Sequence, residues 1–421
     1  MHATLGFLVL FLPTADSGAS NWPGFRGPHG AAVSAEKGLP AKWGDQENLV
    51  WKTELPGPGA SSPITFGDKV FVTCYTGYGI PGDNGGDPQD LQRHLLCVDR
   101  KSGTIVWDKA VAAKLPEPRY GSFLALHGYA SSTPVTDGER VYVFFGKSGL
   151  FAFDLSGKQL WQADVGSGTH GWGSATSPVL YQDLVIINAS VESGSLMAFQ
   201  KKDGKQAWKC PGVRGSWDTP VLVDLPSGKQ ELVVRVPKSL LGVDPATGQQ
   251  LWHYDGFGDG YVCPTVAAKD GVVYALGGRF EGTAVAVKAG GRGDVTNTHE
   301  VWSKQLGGPI PSPVVYGDHL YWVSDNGTAW CVRTRDGEKV YQQRLKDSGT
   351  LYASIVLGDG KIYAVSRSKG TFVLAAEPRF EQLARNVFAS DRSIFNGSPA
   401  VSNGELLLRS DKYLYYVGKK K

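Results

Sequence analysis

The sequence predicts an all-β fold, an eight-bladed β-propeller of four-stranded blades. Three observations predict it: a Gly turn with Trp a few residues on recurs along the chain, eight short strand openings recur with it, and a β-branched or aromatic run follows each opening. A period of roughly 40–50 residues, each unit holding several short strands, is what a propeller blade looks like in sequence. Such a ring is a scaffold that hosts unrelated activities, so function must be read from what the repeat does not require.

The openings come first. They read Ser62-Pro63-Ile64, Thr133-Pro134-Val135, Ser177-Pro178-Val179, Thr219-Pro220-Val221, Cys263-Pro264-Thr265, Ser312-Pro313-Val314 and Ser398-Pro399-Ala400, with Ala353-Ser354-Ile355 in the same place without Pro. Pro is tolerated at the first residue of a strand because its missing N–H need not join the ladder. The second strands follow, as in Lys69–Val72, Arg140–Val143, Leu184–Ile187, Leu320–Val323 and Lys361–Ala364. Runs of β-branched and aromatic residues bounded by Gly and Asp are strand signals. Third strands include Gly149–Phe153 and Gly327–Val332, and the Gly-x-x-x-Trp turn leads into the fourth.

That turn runs from Asp99 to Trp107, Asp154 to Trp161, Asp203 to Trp208 and Asp244 to Trp252, and from Asp336 to Tyr341 with Tyr for Trp. Gly permits a turn with positive φ. An indole on the outer strand can cover the next blade and bury roughly 150–250 Å². Trp51, Trp107, Trp161, Trp208, Trp252 and Trp302 are therefore read as blade-docking residues. The eighth unit stops after Tyr413–Val417, and Asn48–Lys52 supplies a spare Trp-bearing strand. Docking that strand on the last blade closes the ring and removes exposed sheet edges. The expected organisation is a signal peptide over 1–19, an extension over 20–47 and one propeller over 48–418.

Composition narrows the function classes. The formal charge is +3 over 421 residues, and no basic stripe with interleaved aromatics appears. Nucleic acid is thus an unsupported partner, and Lys419–Lys421 reads as a solvated tail. Leu5–Leu12 is apolar and Ser17-Gly18-Ala19 suits cleavage, so the start reads as a secretory signal despite lacking a preceding Lys or Arg. The run is too short to span a bilayer, and no later stretch is expected to. The expectation is an exported monomer in the periplasm or cell envelope, without a transmembrane segment. The five cysteines form no metal-ligand spacing. Cys74 and Cys97 flank a Gly/Asp-rich loop and are either a bridge at its base or two buried thiols.

These residues resemble the PQQ-like repeat family of eight-bladed propellers, whose hallmark is Ala-x-Asp-x-x-Thr-Gly-x-x-x-Trp. Asp244 to Trp252 and Asp99 to Trp107 match best; the unit ending at Trp302 lacks the turn, and the one after Ser354 lacks a clear Trp. The segment Trp22–Pro28 resembles the start of secreted bacterial members. The resemblance implies one of two kinds of protein. One is a quinoprotein dehydrogenase with pyrroloquinoline quinone and calcium in the central funnel. The other is a non-enzymatic propeller similar to the Bam-complex lipoprotein that assists outer-membrane protein assembly.

In a propeller, loops joining successive blades share a face with loops joining second and third strands. Both long insertions, Tyr75 to His94 and Asp108 to Tyr129, fall in those classes, which marks a binding face. The same face gathers His127, Tyr129, His170, Trp172, Arg214, Trp217, Asp218, Tyr261, Tyr352, Asp391 and Arg392 as candidate ligand-binding residues, with Ser61, Tyr120, Ser131, Ser174 and Asn396 beside them. Trp172 and Trp217 lie outside the docking position and either line the funnel or plug it. Asp218, Asp391 and Asn396 are the groups available for a base or a calcium ion. The chain lacks the adjacent Cys-Cys pair and the Cys-x-x-Cys-His haem attachment of many catalytic members. The reading is a cofactor-free binding or scaffolding module for a protein or extracellular polymer, with no catalytic or metal-ligating residue. The alternatives are a small quinone- and calcium-dependent dehydrogenase of alcohols or sugars, and a sugar-binding propeller.

Overall fold

Eight sheets, each built on four antiparallel strands, succeed one another along the chain in the computed structural model, which describes residues 20–80, 86–120, 128–277, 282–308 and 310–419. Blade one comprises Ile64–Phe66, Lys69–Thr76, Gln92–Asp99 and Ile105–Ala112, paired in chain order. Blades two to seven repeat that order. Blade eight takes Ala400–Ser402, Glu405–Arg409 and Tyr413–Val417 from the end of the chain, and Leu49–Glu54 from its start. The closing strand runs antiparallel to its neighbour, with Trp51 opposite Tyr416. The expected ring closure is present.

Burial follows position in the blade. Leu184–Ala189, a second strand, is buried at every residue because neighbouring blades cover both of its faces. Ile105–Ala112, an outer strand, alternates half-buried and exposed residues because only one face meets a neighbour. The core lies between blades: Tyr142, Phe144 and Trp161 of blade two pack with Val185, Ile187 and Met197 of blade three.

The docking tryptophans share one geometry. The indole N–H of Trp51 donates to the Arg100 carbonyl at 2.8 Å, Trp161 to Lys201 at 2.8 Å, Trp208 to Pro245 at 3.1 Å and Trp302 to Thr334 at 2.7 Å. Trp107 donates likewise to Leu155. Each bond reaches the third-to-fourth strand turn of the next blade. The turn Gly lies under the ring. At Gly248, φ is +75° and a Cβ would come within 2.5 Å of Trp208, so both conformation and contact demand Gly. Trp252 departs from the series. Blade five lacks the turn motif, and its longer turn instead lays Gly293–Asp294 parallel to Trp252–His253. The Trp252 N–H bonds Glu231 Oε2 within its own blade at 2.7 Å, and the same carboxylate holds Gly290 N–H and Arg292 of that turn.

One open alternative is decided and one expectation is corrected. Cys74 and Cys97 are both free thiols. Cys97 stands opposite Phe71 in the hairpin, so it shares that residue's face, while Cys74, three residues on, points to the other face. Cys74 packs toward blade eight and Cys97 toward blade two. The blade-five opening is also displaced. Its equivalent residue is Thr265 rather than Cys263, and the first strand is Ala267–Lys269. The Pro in Cys263-Pro264 lies two residues ahead of the position it occupies elsewhere.

Residues 20–47 are ordered against the ring. Trp22 bridges Thr65, and Thr136 N–H bonds the Pro23 carbonyl, which places this segment on the face opposite the insertions. Phe25 and Arg26 then enter the channel, and Arg26 donates to the Pro313 carbonyl of blade six. Val33–Ser34 returns as a parallel strand on the inner edge of blade seven. The expected signal segment, 1–19, and the candidate His127 lie outside the described residues.

Candidate functional site

Two residues ahead of each first strand sits one Ser or Thr: Ser62, Thr133, Ser177, Thr219, Thr265, Ser312, Ser354 and Ser398. Their hydroxyls form a closed circuit. Ser62 N–H donates to Thr133 Oγ1 at 2.9 Å, Thr133 N–H to Ser177 Oγ at 3.0 Å, and Ser177 N–H to Thr219 Oγ1 at 3.0 Å. The series continues through Thr265, Ser312, Ser354 and Ser398, and Ser398 N–H returns to Ser62 Oγ at 3.1 Å. A backbone N–H at a blade junction has no ladder partner, and the next blade's hydroxyl supplies one. Each bond contributes about 0.5–1.5 kcal/mol net. Sequence reasoning saw these residues only as strand openings. The signal was the hydroxyl that precedes Pro in unit after unit.

All eight hydroxyl residues line one cavity of about 200 Å³ on the propeller axis. Phe25, from the N-terminal extension, lines it as well and separates it from a second chamber toward the opposite face. The mouth is aromatic. Trp172 and Tyr261 have ring centroids 5.6 Å apart, and Trp217 meets Tyr261 edge-on at 6.2 Å. The Trp217 N–H is fixed by the Gly173 carbonyl at 2.7 Å, and His170 stands edge-on to Trp217 at 4.8 Å. Across the mouth, Arg367 stacks behind Tyr352 at 4.7 Å and donates to Asn396 Oδ1 at 3.0 Å, holding both lining residues in place. Cys263 lines the wall, and burial pushes its thiol up to about 12, so it is neutral.

The predicted candidates divide. Trp172, Trp217, Tyr261 and Tyr352 come together around the cavity, each half-buried. Ser131 and Asn396, noted beside them, line it as well, whereas the other described ligand-binding candidates do not. Tyr129 is buried among Tyr75, Tyr78 and Tyr120 inside the insertions, its hydroxyl donating to the Pro118 carbonyl at 2.8 Å. Asp218 lies beneath Trp217 in the blade interior, where its carboxylate accepts from Ser216 Oγ at 2.8 Å and the Arg235 N–H at 3.0 Å. Burial pushes that carboxyl up to about 7. Arg214 is exposed in a side groove with His170 and Glu192. Asp391 and Arg392 belong to a separate pocket by blade seven, where Asp391 accepts from Ser393 and Tyr415. These residues lie in connections between strands, where no fixed period sets the side-chain direction, so sequence proximity to the mouth did not select for the channel.

The two insertions are tied to each other. Arg93 pairs with Glu117 at 2.6 Å, both nearly fully buried, and Arg93 also bonds Ser148 and the Tyr129 carbonyl. This ties the blade-one insertion to the blade-one-to-two connection. Glu192, hydrogen-bonded to Ser174 nearby, is likewise pushed up to about 7 by burial.

The donor set can be tested against the quinone and calcium that the fold family implies. Calcium takes several oxygen ligands, usually with carboxylates among them. The described cavity lining offers hydroxyls, aromatic rings and the Asn396 amide but no carboxylate, and no Arg, Lys or His to meet an anionic quinone. Those residues do not fit that pair. Among the described residues no three His, Cys, Asp or Glu side chains converge on a metal site, and no helix is long and apolar enough to cross a membrane.

Comparison with known proteins agrees with the fold. A curated relative from Burkholderia pseudomallei, outer membrane protein assembly factor BamB, is 23% identical over 356 residues, covering 77% of this chain and 78% of its own length. The crystal structure of BamB from Moraxella catarrhalis superposes with a TM-score of 0.63 at 15% identity, covering 88% of this chain and 97% of that one. Quinohemoprotein alcohol dehydrogenase from Comamonas testosteroni superposes with a TM-score of 0.63 at 12% identity, covering 96% and 81%. At such identity the likeness of the two structures is one of fold. A family model described as outer membrane protein assembly factor BamB matches residues 45–211, 94–343 and 213–419, and the chain therefore belongs to that PQQ-like propeller family.

Proposed function

We propose that this protein is an exported, non-enzymatic propeller that binds a protein or an extracellular polymer on its insertion-bearing face, in the periplasm or cell envelope. The observation that carries this reading is the axial cavity, with no charged side chain among its described lining residues, under an aromatic mouth on the face that also bears the two insertions. The family match supports it, because relatives named as an outer membrane protein assembly factor align with 58–77% of this chain. The site works by shape, by apolar contact at the aromatic mouth and by the neutral hydroxyls that line the cavity below it.

The test compares the two faces. A photo-crosslinking residue replaces exposed Arg214 on the insertion face or exposed Ala246 on the opposite face, in cells of the native organism. Crosslinks confined to position 214 are expected. Equal or absent crosslinking at both sites overturns the reading. In parallel, pyrroloquinoline quinone and calcium are added to purified protein. Co-eluting quinone absorbance with dye-linked oxidation of an alcohol or sugar would establish the dehydrogenase instead.

A further inference from the structure

We infer that the axial cavity binds the terminal residue of a neutral glycan. This rests on the binding-module reading and names the ligand chemistry of its site. Three observations carry it.

The first is charge. None of the described residues lining the cavity is Asp, Glu, Lys, Arg or His. Moving a charged group from water into a site without a counter-charge costs several kcal/mol, on the order of what weak ligands gain in total. The aromatic mouth alone suits a cation, but cation recognition gains from desolvation beside acidic or aromatic cages, and here the floor below the rings is a circle of neutral hydroxyls. The complement is a neutral ligand.

The second is the hydroxyl circuit. Each of the eight oxygens accepts one backbone N–H from the preceding blade. A hydroxyl has one proton to donate and two lone pairs. Among the described residues no acceptor takes the eight protons, and each oxygen keeps a second lone pair. The floor therefore presents groups that both donate and accept, fixed in direction by the backbone bond. A sugar's hydroxyls are the matching set, since each also donates and accepts. Trp172, Trp217 and Tyr261, half-exposed above the floor, supply the flat apolar faces against which a pyranose ring's C–H groups pack.

The third is closure. Phe25 lines the end of the cavity away from the mouth, so the space ends blind rather than running through the propeller. A blind pocket admits the end of a chain. An internal residue, flanked on both sides, cannot descend to the hydroxyl circuit.

The experiment uses the full chain and intrinsic tryptophan fluorescence with calorimetry. Probes are glucose, galactose and mannose, their linear oligosaccharides, glucuronic acid, and a cyclic glucose oligosaccharide that has no chain end. Saturable binding of at least one neutral linear sugar is expected, with glucuronic acid and the cyclic sugar weaker by about tenfold or more, a difference of about 1.4 kcal/mol. Trp172→Ala and Trp217→Ala should each lower affinity by a similar factor while the melting midpoint stays close to that of the parent. Alkylation of Cys263, in the cavity wall, should slow when sugar is present. Absence of binding by every neutral sugar overturns the inference, as does equal binding of the cyclic sugar or unchanged affinity in both Trp variants. Loss of the sugar result with position-214 crosslinks intact removes the glycan but leaves the binding module standing.

Discussion

Two sets of tryptophans in this ring obey different rules. Trp51, Trp107, Trp161, Trp208 and Trp302 sit on outer strands and donate to a carbonyl of the next blade, with a turn Gly beneath several of the rings. Trp172 and Trp217 sit on inter-blade connections at the mouth, half-buried, against His170 and Tyr261. The first set is repeated because the same inter-blade gap must be filled at each junction. The second set is not repeated, since no equivalent indole stands at the other openings. Repetition is thus the mark of packing here, and its interruption marks the surface left for a ligand. Trp252 sharpens the rule: where blade five lost its docking turn, the indole found Glu231 in its own blade, and a short parallel strand replaced the missing contact.

The largest break of the docking set is removal of residues up to Leu55. That deletes Leu49–Glu54 and Trp51, opening blade eight along Tyr413–Val417 and uncovering the blade-one turn. Insoluble protein is expected, because an open, apolar sheet edge pairs with other chains. A soluble truncation with one cooperative melting transition would contradict the closure geometry.

The next effect separates the two sets directly. Trp208, buried and hydrogen-bonded to Pro245, should lose about 3–5 kcal/mol on substitution by Ala. Trp217→Ala should lose about 1 kcal/mol, the scale of one indole hydrogen bond, since its ring already meets solvent. Denaturant unfolding of the two variants checks the contrast, and equal losses would dissolve the distinction.

The smallest effect is pH-dependent and belongs to two carboxyls buried behind the mouth. Asp218 under Trp217 and Glu192 beside Ser174 are both raised to about 7 by burial. A carboxyl whose folded pKa exceeds its unfolded value binds more protons when folded, so stability falls as pH rises from about 4 to 7. Asp218→Asn should flatten that fall without moving the docking tryptophans. Denaturation midpoints at pH 5 and pH 8 measure it, and an unchanged slope in the variant would remove Asp218 from the account.

Local pattern was enough for the blades. Strand runs, Gly turns and the spare Asn48–Lys52 segment are all signals between near neighbours in sequence, and the ring that follows from them is present. The same reasoning misplaced the blade-five opening, because Pro in Cys263-Pro264 imitates the repeat two residues early. It also left Cys74 and Cys97 open between a bridge and two buried thiols, and the period of two along a strand decides for the thiols. Among candidate site residues it found Trp172, Trp217, Tyr261 and Tyr352, which stand out because the repeat does not need them. Tyr129, Asp218 and Asp391 look the same in sequence, yet their side chains turn into the walls and blades.

By itself, then, the sequence determined the blade count, the docking geometry and the face that carries the insertions, because each depends on short-range patterns repeated many times. Only the tertiary structure decided that eight hydroxyls separated by dozens of residues meet in one circuit, that Phe25 closes the channel beneath them, and that no charged side chain among the described lining residues reaches the cavity. Those facts depend on which way side chains point once the ring has closed, and closure brings together residues as distant as Ser62 and Ser398.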